Sequence, residues 1–411
     1  MVKKHTLQHC KKNIALSFLL VLLSIIFLSG CVYNDDNIPS GLALGEEMYP
    51  YAVRLSWTGS PADSQTVSWL SNSFFSVSYL EYYEEGQTAE NAILLEANAV
   101  SIFDGVASFS VELDGLKPAA TYFYRVGRPG IWSEEASFNT AAGEGAFSFL
   151  YLGDTQKDID SAEGYSVFES LLANANQNTQ TDFVLIAGDL VNDGSDYDEW
   201  REFFAAGKNA FANLSLMPAM GNHDGGKGYR DIFALPQNGA EDSKEHFYSF
   251  DYNNTHFTIL DSSTLFLESN LQWLAEDLAV TDKAWKIVML HHPVYVSQLN
   301  AKEVLRSQEL QNTLAPILEV NGVDLVLMGH QHSYMRTYPL KEQKPAADGK
   351  GIVYLMSVSN NKLYTNDPAD YIAKQLAGVP VYTEIAVTDS AISLKTFSAE
   401  NVLVDEYIIN K

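Results

Sequence analysis

The chain has 411 residues, of which 46% are hydrophobic and 12% aromatic, so it can bury a large core and form roughly two or three domains. Its 26 Lys and Arg stand against 52 Asp and Glu, for a formal charge of -26. Because nucleic acid is bound by basic side chains that replace phosphate counterions, this balance predicts no nucleic-acid binding. Small anionic substrates stay possible, since a bound metal ion brings its own positive charge.

Residues 1–30 have the pattern of a bacterial lipoprotein signal peptide. Four lysines precede the apolar run Phe18–Leu28, which is short for a membrane-spanning helix and typical of a signal-peptide core. The run leads into Leu-Ser-Gly-Cys, which resembles a lipobox, so we expect a lipid on Cys31 that anchors the protein to a membrane. The expected location is extracytoplasmic, on the bacterial cell envelope. An ordinary signal peptide that happens to end near a cysteine is the alternative.

Residues 31–47 are polar and rich in turn formers, which predicts a tether. Residues 48–142 follow with short runs of alternating apolar and polar residues, separated by turns such as the Asp-Gly pairs at 104–105 and 114–115. This spacing predicts an antiparallel β-sandwich. The segment contains no His and no Cys, so we expect no metal site in it.

Residues 146–411 change in character, because apolar strands now alternate with helical stretches. This alternation predicts a mostly parallel sheet covered by helices, and such sheets bind ligands beyond the carboxyl ends of their strands. A β-hairpin is expected over 246–263, and β-structure returns from about residue 351. The expected helices cover residues 161–178, 196–209, 268–279 and 301–319.

Five strand ends in this second part carry side chains that are typical metal ligands. Taken singly, a Gly-Asp after a strand is more often structural, and Asn and Asp also serve turns. Together they combine carboxylates, imidazoles and one amide oxygen, which suit a divalent ion such as Mn, Fe, Zn or Co. They exceed the needs of one ion, so we expect two ions that share a carboxylate. The motifs are Gly153-Asp154, Gly188-Asp189, Gly221-Asn222-His223-Asp224, His291-His292 and Gly329-His330-Gln331-His332.

In this order the motifs resemble those of the calcineurin-like metallophosphoesterase superfamily, and within it the purple acid phosphatase branch. The stretches MYPYAVRLSWTGSPADSQTVSWLS and LDGLKPAATYFYRVG resemble the fibronectin-III-like N-terminal domain of that branch. The resemblance implies an N-terminal antiparallel β-sandwich followed by an α/β metallophosphoesterase domain, a sandwich of β-sheets flanked by helices. It also implies that Asp154, Asp189 and His332 hold one metal ion. The second ion would be held by Asp189, Asn222, His291 and His330, with Asp189 bridging.

The activity implied by the resemblance is hydrolysis of phosphate monoesters, with attack on phosphorus by a hydroxide generated between the two ions. His223 would stabilise charge on the phosphoryl oxygens, and His292 is the candidate proton donor to the leaving group; a packed or solvent-facing His292 is the alternative. The substrate would be a phosphorylated small molecule. A phosphodiesterase or nucleotidase with the same core, and a non-catalytic surface-binding lipoprotein, are the alternative functions. The oligomeric state does not follow from the sequence.

Two positions depart from the family pattern. Asn192 stands where similar purple acid phosphatases carry the Tyr that binds a ferric ion, and Gln156 stands where many superfamily members carry a His ligand. Either amide could be a weak ligand or could support the ligands from outside, as could Asp224. Asn192 could instead hydrogen-bond His223 or be an ordinary loop residue. Without the phenolate we expect divalent ions and a colourless protein.

The remaining histidines and one further loop complete the predictions. His246 and His256 lie in the expected hairpin and are predicted to be structural. Lys227, Tyr229 and Arg230 follow Gly-Asn-His-Asp on a Gly-rich loop and are candidates to line a substrate cleft, although a plain surface loop is an equal alternative.

Overall fold

The computed structural model describes residues 48–178, 180–225 and 227–411, so the predicted signal peptide, Cys31 and tether lie outside the described residues. The first part is the predicted β-sandwich. Trp69 and Phe109 stack at 5.7 Å between ring centroids in its core. Its strands are β1 (Tyr51–Ser56), β2 (Ser64–Asn72), β3 (Val77–Glu84), β4 (Ile93–Asn98), β5 (Val100–Phe103), β6 (Val106–Asp114), β7 (Thr121–Arg128), β8 (Ile131–Trp132) and β9 (Ala136–Asn139).

The second part alternates strands and helices as predicted. Its elements up to the last helix are β10 (Phe147–Leu152), α1 (Ser166–Asn178), β11 (Phe183–Ile186), α2 (Tyr197–Phe211), β12 (Ser215–Pro218), α3 (Lys227–Ile232), β13 (Tyr248–Tyr252), β14 (Thr255–Leu260), α4 (Glu268–Val280), β15 (Trp285–Leu290), α5 (Ala301–Thr313) and α6 (Ala315–Val320). The strands that follow are β16 (Leu325–Met328), β17 (Tyr334–Thr337), β18 (Leu340–Lys341), β19 (Lys344–Pro345), β20 (Val353–Met356), β21 (Ile372–Leu376), β22 (Val381–Val387), β23 (Ala391–Ser398) and β24 (Leu403–Asn410).

The α/β part contains two mixed sheets whose central strands are parallel. Strands β10, β11 and β12 run parallel in one sheet, and β14, β15, β16 and β20 run parallel in the other, while β22, β13 and β17 beside them are antiparallel. The largest apolar cluster includes Phe149 and Phe183 of the first sheet together with Phe257 of the second. A second apolar cluster joins the second sheet to α4, α5 and α6. The predicted fold class, a β-sandwich followed by an α/β domain of sheets and helices, is confirmed.

One sheet crosses the predicted boundary between the two parts. Strand β1 of the sandwich pairs in parallel with β12, with Leu55 opposite Ser215, so ten strands from both parts form one continuous sheet in the order β24-β23-β22-β10-β11-β12-β1-β2-β6-β5. The buried Arg54 strengthens this junction, because its guanidinium donates to the carbonyl of Ile232 at the end of α3 and lies over the ring of Phe204. The two parts therefore share their main sheet.

Side-chain caps mark the beginnings of α2 and α5. The side chain of Asp196 accepts from the amide of Asp198 and caps α2, whose Trp200 and Phe203 are buried. The stretch predicted as one helix over 301–319 is two helices, because Pro316 lacks an amide donor and lies in the first turn of α6. Among the described residues, no helix is both long and apolar enough to cross a membrane.

Candidate metal centre

The predicted ligands meet at the carboxyl ends of parallel strands from both sheets. Asp154 follows β10, Asp189 follows β11 and Asn222 follows β12 in the first sheet. His291 follows β15, and His330 with His332 follows β16, in the second. Parallel strands bring such ends to one edge, so these loops converge on a single site as the sequence predicts.

Four of the ligand candidates have a left-handed backbone, which is rare for residues other than glycine. The φ angles are 46° for Asp154, 51° for Asp189, 78° for His330 and 44° for His332. Such a conformation costs on the order of 1–3 kcal/mol per residue and is kept at functional sites, where it aims a side chain. The four strained residues are therefore held in place by the surrounding packing.

The glycines before the ligands allow the loops to approach one another. A Cβ atom on Gly221 would lie 2.2 Å from Oδ1 of Asp189, and one on Gly329 would lie 2.8 Å from Oδ2 of Asp154. Any side chain at these two positions would push a carboxylate away from the site. The glycines in the predicted motifs are thus needed for close approach.

The candidate ligands form two groups that share one carboxylate. The first ligand group consists of Asp154, Asp189 and His332, and the second ligand group consists of Asp189, His291 and His330. In each group, one ligand atom from every residue lies within 4.8 Å of the others. Asn222 belongs beside the second group, because its Oδ1 lies 3.1 Å from Nε2 of His291.

The buried carboxylates of Asp154 and Asp189 lie close together, and a cation would offset the repulsion between their negative charges. Oδ2 of Asp154 is buried and has no hydrogen-bond partner among the described residues. Burial raises the pKa of Asp154 well above its usual range, and the nearby Asp189 adds to the increase. For Asp189, burial also opposes ionisation, but His291 outweighs it and holds its pKa below the usual range. A divalent ion would compensate both negative charges, so the residues present fit the two-ion centre.

Hydrogen bonds leave one nitrogen of each ligand histidine free to face the site. Nδ1 of His291 donates to the carbonyl oxygen of Ala187 at 2.8 Å, and Nδ1 of His332 donates to that of Lys362 at 2.8 Å. His330 uses Nε2 instead, which lies 3.2 Å from a carboxylate oxygen of Glu303. Because a carbonyl or carboxylate oxygen only accepts here, the opposite nitrogen of each ring offers its lone pair to a metal ion when the ring is neutral.

Asp224 supports the site without facing it. Its carboxylate accepts hydrogen bonds from the amides of Leu190 (2.7 Å), Val191 (3.2 Å) and Gly221 (2.8 Å), and it is fully buried. Burial, together with repulsion from Asp189, raises the pKa of Asp224 to about 7. Asp224 therefore joins the loop after β11 to the loop after β12, which is the supporting role among the two predicted for it.

Gln156 lies against the first ligand group. Its Nε2 donates to Oδ2 of Asp189 at 2.8 Å and lies 3.3 Å from Nε2 of His332, while its Oε1 accepts from Nζ of Lys362 at 2.9 Å. The side chain is fully buried. In this orientation the amide nitrogen, and not the oxygen, faces the ligands, so Gln156 contacts the ligands from outside.

Asn192 contacts His223, but through its backbone. Nδ1 of His223 donates to the carbonyl oxygen of Asn192 at 2.7 Å, whereas the Asn192 side chain donates to the carbonyl of Lys157 (3.0 Å) and to Glu199 (3.4 Å). Because the Asn192 side chain is directed toward Lys157 and Glu199, this geometry does not support its predicted role as a weak ligand. The contact with His223 leaves Nε2 of that ring free on the pocket side.

The structure does not place His292 where a proton donor to the leaving group would stand. Its ring is buried against those of His291 and His330, and Nδ1 bonds to Oγ of Ser262 at 2.8 Å. Burial, and then the charge of His291, hold the pKa of His292 far below its usual range. The packed alternative fits this position, and the proton-donor role is withdrawn.

The structure also places the residues predicted to line a substrate cleft and the two hairpin histidines. Tyr229 is buried and donates to the carbonyl of Pro218 at 2.9 Å, so it does not line a cleft. Arg230 is exposed and away from the pocket, and the side chain of Lys227 lies outside the described residues. His246 and His256 contact carboxylates in the β13–β14 region, as expected of structural residues.

A pocket of about 240 Å³ opens over the two ligand groups. Its walls include side chains that the motifs did not predict, from the first turn of α5 and from the loop after β20. A possible signal was the polar run Ser357-Val-Ser-Asn-Asn at the end of β20, since it resembles the other strand ends. The lining residues not predicted from the sequence are Gln298, Lys302, Glu303, Gln331, Lys362 and Tyr364.

Comparisons with known proteins agree with this geometry. The family model of the calcineurin-like phosphoesterases matches residues 147–334, and that of the purple acid phosphatase N-terminal domain matches residues 50–140. The probable purple acid phosphatase 20 of Arabidopsis thaliana is 24% identical over 360 residues, which cover 82% of this chain and 81% of that protein. The acid phosphatase type 7 of Homo sapiens is 25% identical, over 75% of this chain and 77% of its own length.

Among solved structures, a purple acid phosphatase from yellow lupin (Lupinus luteus) seeds superposes with a TM-score of 0.71 at 18% identity, covering 88% of this chain and 74% of that one. This likeness establishes the shared fold. The fold implies a dinuclear metal centre, and the two ligand groups are Asp and His clusters that could hold it. The chain therefore contains a calcineurin-like phosphoesterase domain, carries the N-terminal domain of the purple acid phosphatases, and is a hydrolase of phosphoric ester bonds.

Proposed function

We propose that this protein is a phosphatase of the bacterial cell surface that hydrolyses phosphate monoesters at a centre of two divalent ions. The observation that carries the proposal is Asp189, which belongs to both ligand groups and is therefore positioned to bridge two ions. Two ions that share a carboxylate can clamp the attacking and leaving oxygens of a phosphoryl group. The residues that would hold the ions are Asp154, Asp189, Asn222, His291, His330 and His332.

The ions would supply the positive charge that activates water and polarises the phosphoryl group. The chain itself positions the remaining groups. His223 lines the pocket and donates from Nδ1 to the Asn192 carbonyl, so Nε2 is the ring atom that would contact a phosphoryl or leaving oxygen. The backbone amide of His223 also donates to Oδ1 of Asp189 at 3.0 Å, which fixes the ring relative to the bridging carboxylate.

The ions are proposed to be Mn, Fe, Zn or Co in the divalent state. No phenolate is offered at position 192, where the Asn side chain bonds to Lys157 and Glu199 instead. Histidine and carboxylate ligands with one amide oxygen suit such borderline ions. The purified protein is therefore expected to be colourless, and a visible absorption band from a bound ferric ion would contradict this part of the proposal.

The test compares hydrolysis of p-nitrophenyl phosphate with that of bis-p-nitrophenyl phosphate. Full-length protein extracted in detergent would be stripped of metal and reloaded with Mn, Zn or Fe, with His291→Ala as the matched blank. We expect metal-dependent cleavage of the monoester at a higher kcat/KM, and two ions per chain by elemental analysis. Faster cleavage of the diester would indicate a phosphodiesterase. Binding of no metal, with rates equal to the blank, would leave the non-catalytic surface-binding lipoprotein.

The surface location rests on the lipobox-like Leu-Ser-Gly-Cys at residues 28–31. A lipid on Cys31 would hold the wild-type protein in the membrane fraction. Mass spectrometry of the purified wild-type protein should find the lipid on Cys31, and the variant Cys31→Ser should lack it. An unmodified Cys31 in the wild-type protein would argue against the lipid anchor and would leave the proposed activity unaffected.

A further inference from the structure

A lysine stands next to the first ligand group, on the wall of the pocket. Nζ of Lys362 lies 2.9 Å from Oε1 of Gln156, and the other end of that amide lies 2.8 Å from Oδ2 of Asp189. Lys362 also lines the pocket together with Asp189, His223 and His332. One amide group thus separates the ammonium from the ligands.

The loop that carries Lys362 is anchored on both sides. Before it, the buried Asn360 donates to the carbonyl of Thr155 at 2.8 Å, in the loop that follows Asp154. At Lys362 itself, the carbonyl oxygen accepts from Nδ1 of His332 at 2.8 Å, and the amide of Tyr364 donates to the carbonyl of His332 at 3.0 Å. The backbone is therefore fixed to the ligand loops, and the ammonium cannot move far from the pocket.

Within the described part of the chain this ammonium has no ion-pair partner, although its charge favours ionisation of the buried Asp154 and lowers the pKa of that carboxyl. Its hydrogen bond to Gln156 uses one of three N–H donors, and that partner is a neutral amide. Lys157, by contrast, is paired with both Glu199 and Glu202. In a chain with a formal charge of -26, an unpaired half-buried cation at a pocket is unusual. The arrangement leaves two donors and a full positive charge available to an anion.

We infer that Lys362 binds a non-bridging oxygen of the substrate phosphate and thereby makes the site prefer monoesters to diesters. The inference rests on the proposed phosphatase function. A monoester carries two negative charges at neutral pH and a diester carries one, so an extra fixed cation attracts the monoester more strongly. The same cation would also stabilise the charge on the phosphoryl oxygens during transfer. Lys362 is a substrate-binding residue in this account.

The competing account is structural, in which Lys362 holds Gln156 against Asp189 and His332. It predicts a different outcome, because loss of that support would disturb the ligands and lower metal content. Lys362→Gln removes the charge and keeps a polar side chain, whereas Lys362→Arg keeps the charge. Lys208→Gln is the matched control, since Lys208 is exposed in the last turn of α2.

The experiment uses full-length protein loaded with the ion that gives the highest wild-type activity. Three quantities are measured for each variant: kcat/KM for the monoester and diester p-nitrophenyl substrates, the Kd for inorganic phosphate by calorimetry, and the ions bound per chain. For Lys362→Gln we expect kcat/KM for the monoester to fall about 100-fold, as for removal of one donor to a developing oxyanion, with a much smaller fall for the diester. Phosphate affinity should fall, metal content should stay at the wild-type value, and Lys362→Arg should keep most of the activity.

Equal falls for both esters, an unchanged phosphate Kd, or loss of an ion would each overturn the inference. If wild type cleaves the monoester and Lys362→Gln matches it, the inference fails while the proposed function stands. If wild type cleaves neither ester, the proposed function fails, and the phosphate Kd of the metal-loaded proteins still decides whether Lys362 binds phosphate.

Discussion

Two clusters of histidine and carboxylate side chains lie in different parts of the second domain, and they differ in how fully their hydrogen-bonding atoms are satisfied. The hairpin cluster consists of His256 with Asp251 and Asp277. Its imidazole bonds through Nδ1 to Asp251 at 2.7 Å and through Nε2 to Asp277 at 2.9 Å. Asp277 also accepts from Ser249 (2.6 Å) and Thr258 (2.9 Å). The hydrogen-bonding atoms of this cluster are therefore satisfied by one another and by neighbouring side chains.

The ligand groups are unsaturated by comparison. Nε2 of His291 lies 3.1 Å from Oδ1 of Asn222 and 3.2 Å from Nδ1 of His330, so one nitrogen faces two acceptors, and Oδ2 of Asp154 has no partner among the described residues. Lone pairs that converge in a buried site require a cation between them. Unfilled bonding capacity, more than the presence of His and Asp, therefore separates a candidate metal site from a structural ion pair.

The largest difference between the two clusters is expected when the same substitution, Asp to Ala, is made in each of them. Asp189→Ala removes the carboxylate shared by both ligand groups, so we expect loss of both ions and a fall in kcat/KM of at least about 10³-fold. Asp277→Ala should keep both ions, because it removes a carboxylate whose bonds are internal to the hairpin cluster. Metal analysis and monoester hydrolysis on both proteins check this. Retention of two ions by Asp189→Ala would disprove its bridging position.

The two ligand groups can also be separated from each other. His332→Ala removes a ligand from the first group and His291→Ala removes one from the second, so each variant is expected to bind one ion per chain. Activity should fall roughly 10²- to 10³-fold in both, since an in-line displacement needs both ions. His256→Ala is the matched control and should bind two ions. Loss of both ions from either ligand variant would show that the sites do not fill independently.

The sequence indicated where the candidate ligands would meet, because each follows a strand end that its apolar run and glycine mark. The hairpin over 246–263 and most helix positions were predicted for similar local reasons. The pairing of β1 with β12 was not, because it joins segments far apart in the chain. The side chains of Asn192 and His292 point elsewhere than predicted, since direction depends on backbone angles that motifs do not reveal. Lys362 and Glu303 were missed because they approach from elements without a recognised motif.

A smaller effect, on stability, is expected from substitution of Asp224. This carboxylate lies behind the ligands, and its hydrogen-bonding atoms are satisfied, as in the hairpin cluster. Its carboxylate accepts three backbone amides. Asp224→Asn replaces one acceptor oxygen by a donor, so at least one buried amide loses its partner, at a cost of about 1–3 kcal/mol in the free energy of unfolding. Urea unfolding measures this, with the exposed Asp193→Asn as a control expected to change by less than about 0.5 kcal/mol. Equal changes in the two variants would contradict the supporting role.

The smallest expected effect is the pH dependence of the hairpin cluster. Burial alone would lower the pKa of His256, but Asp251 and Asp277 outweigh it and raise the pKa from 6.5 to about 9. A raised folded-state pKa stabilises the protein fully below pH 6.5, and this contribution is lost as the pH rises toward 9. Because Asp251 is half exposed and also lies near Lys283, we expect about 1–2 kcal/mol. Urea unfolding of wild type and His256→Gln across this range tests it, since their difference cancels the titration of other groups. That difference should shrink as the pH rises, and a constant difference would show that the imidazole is not charged in the folded protein.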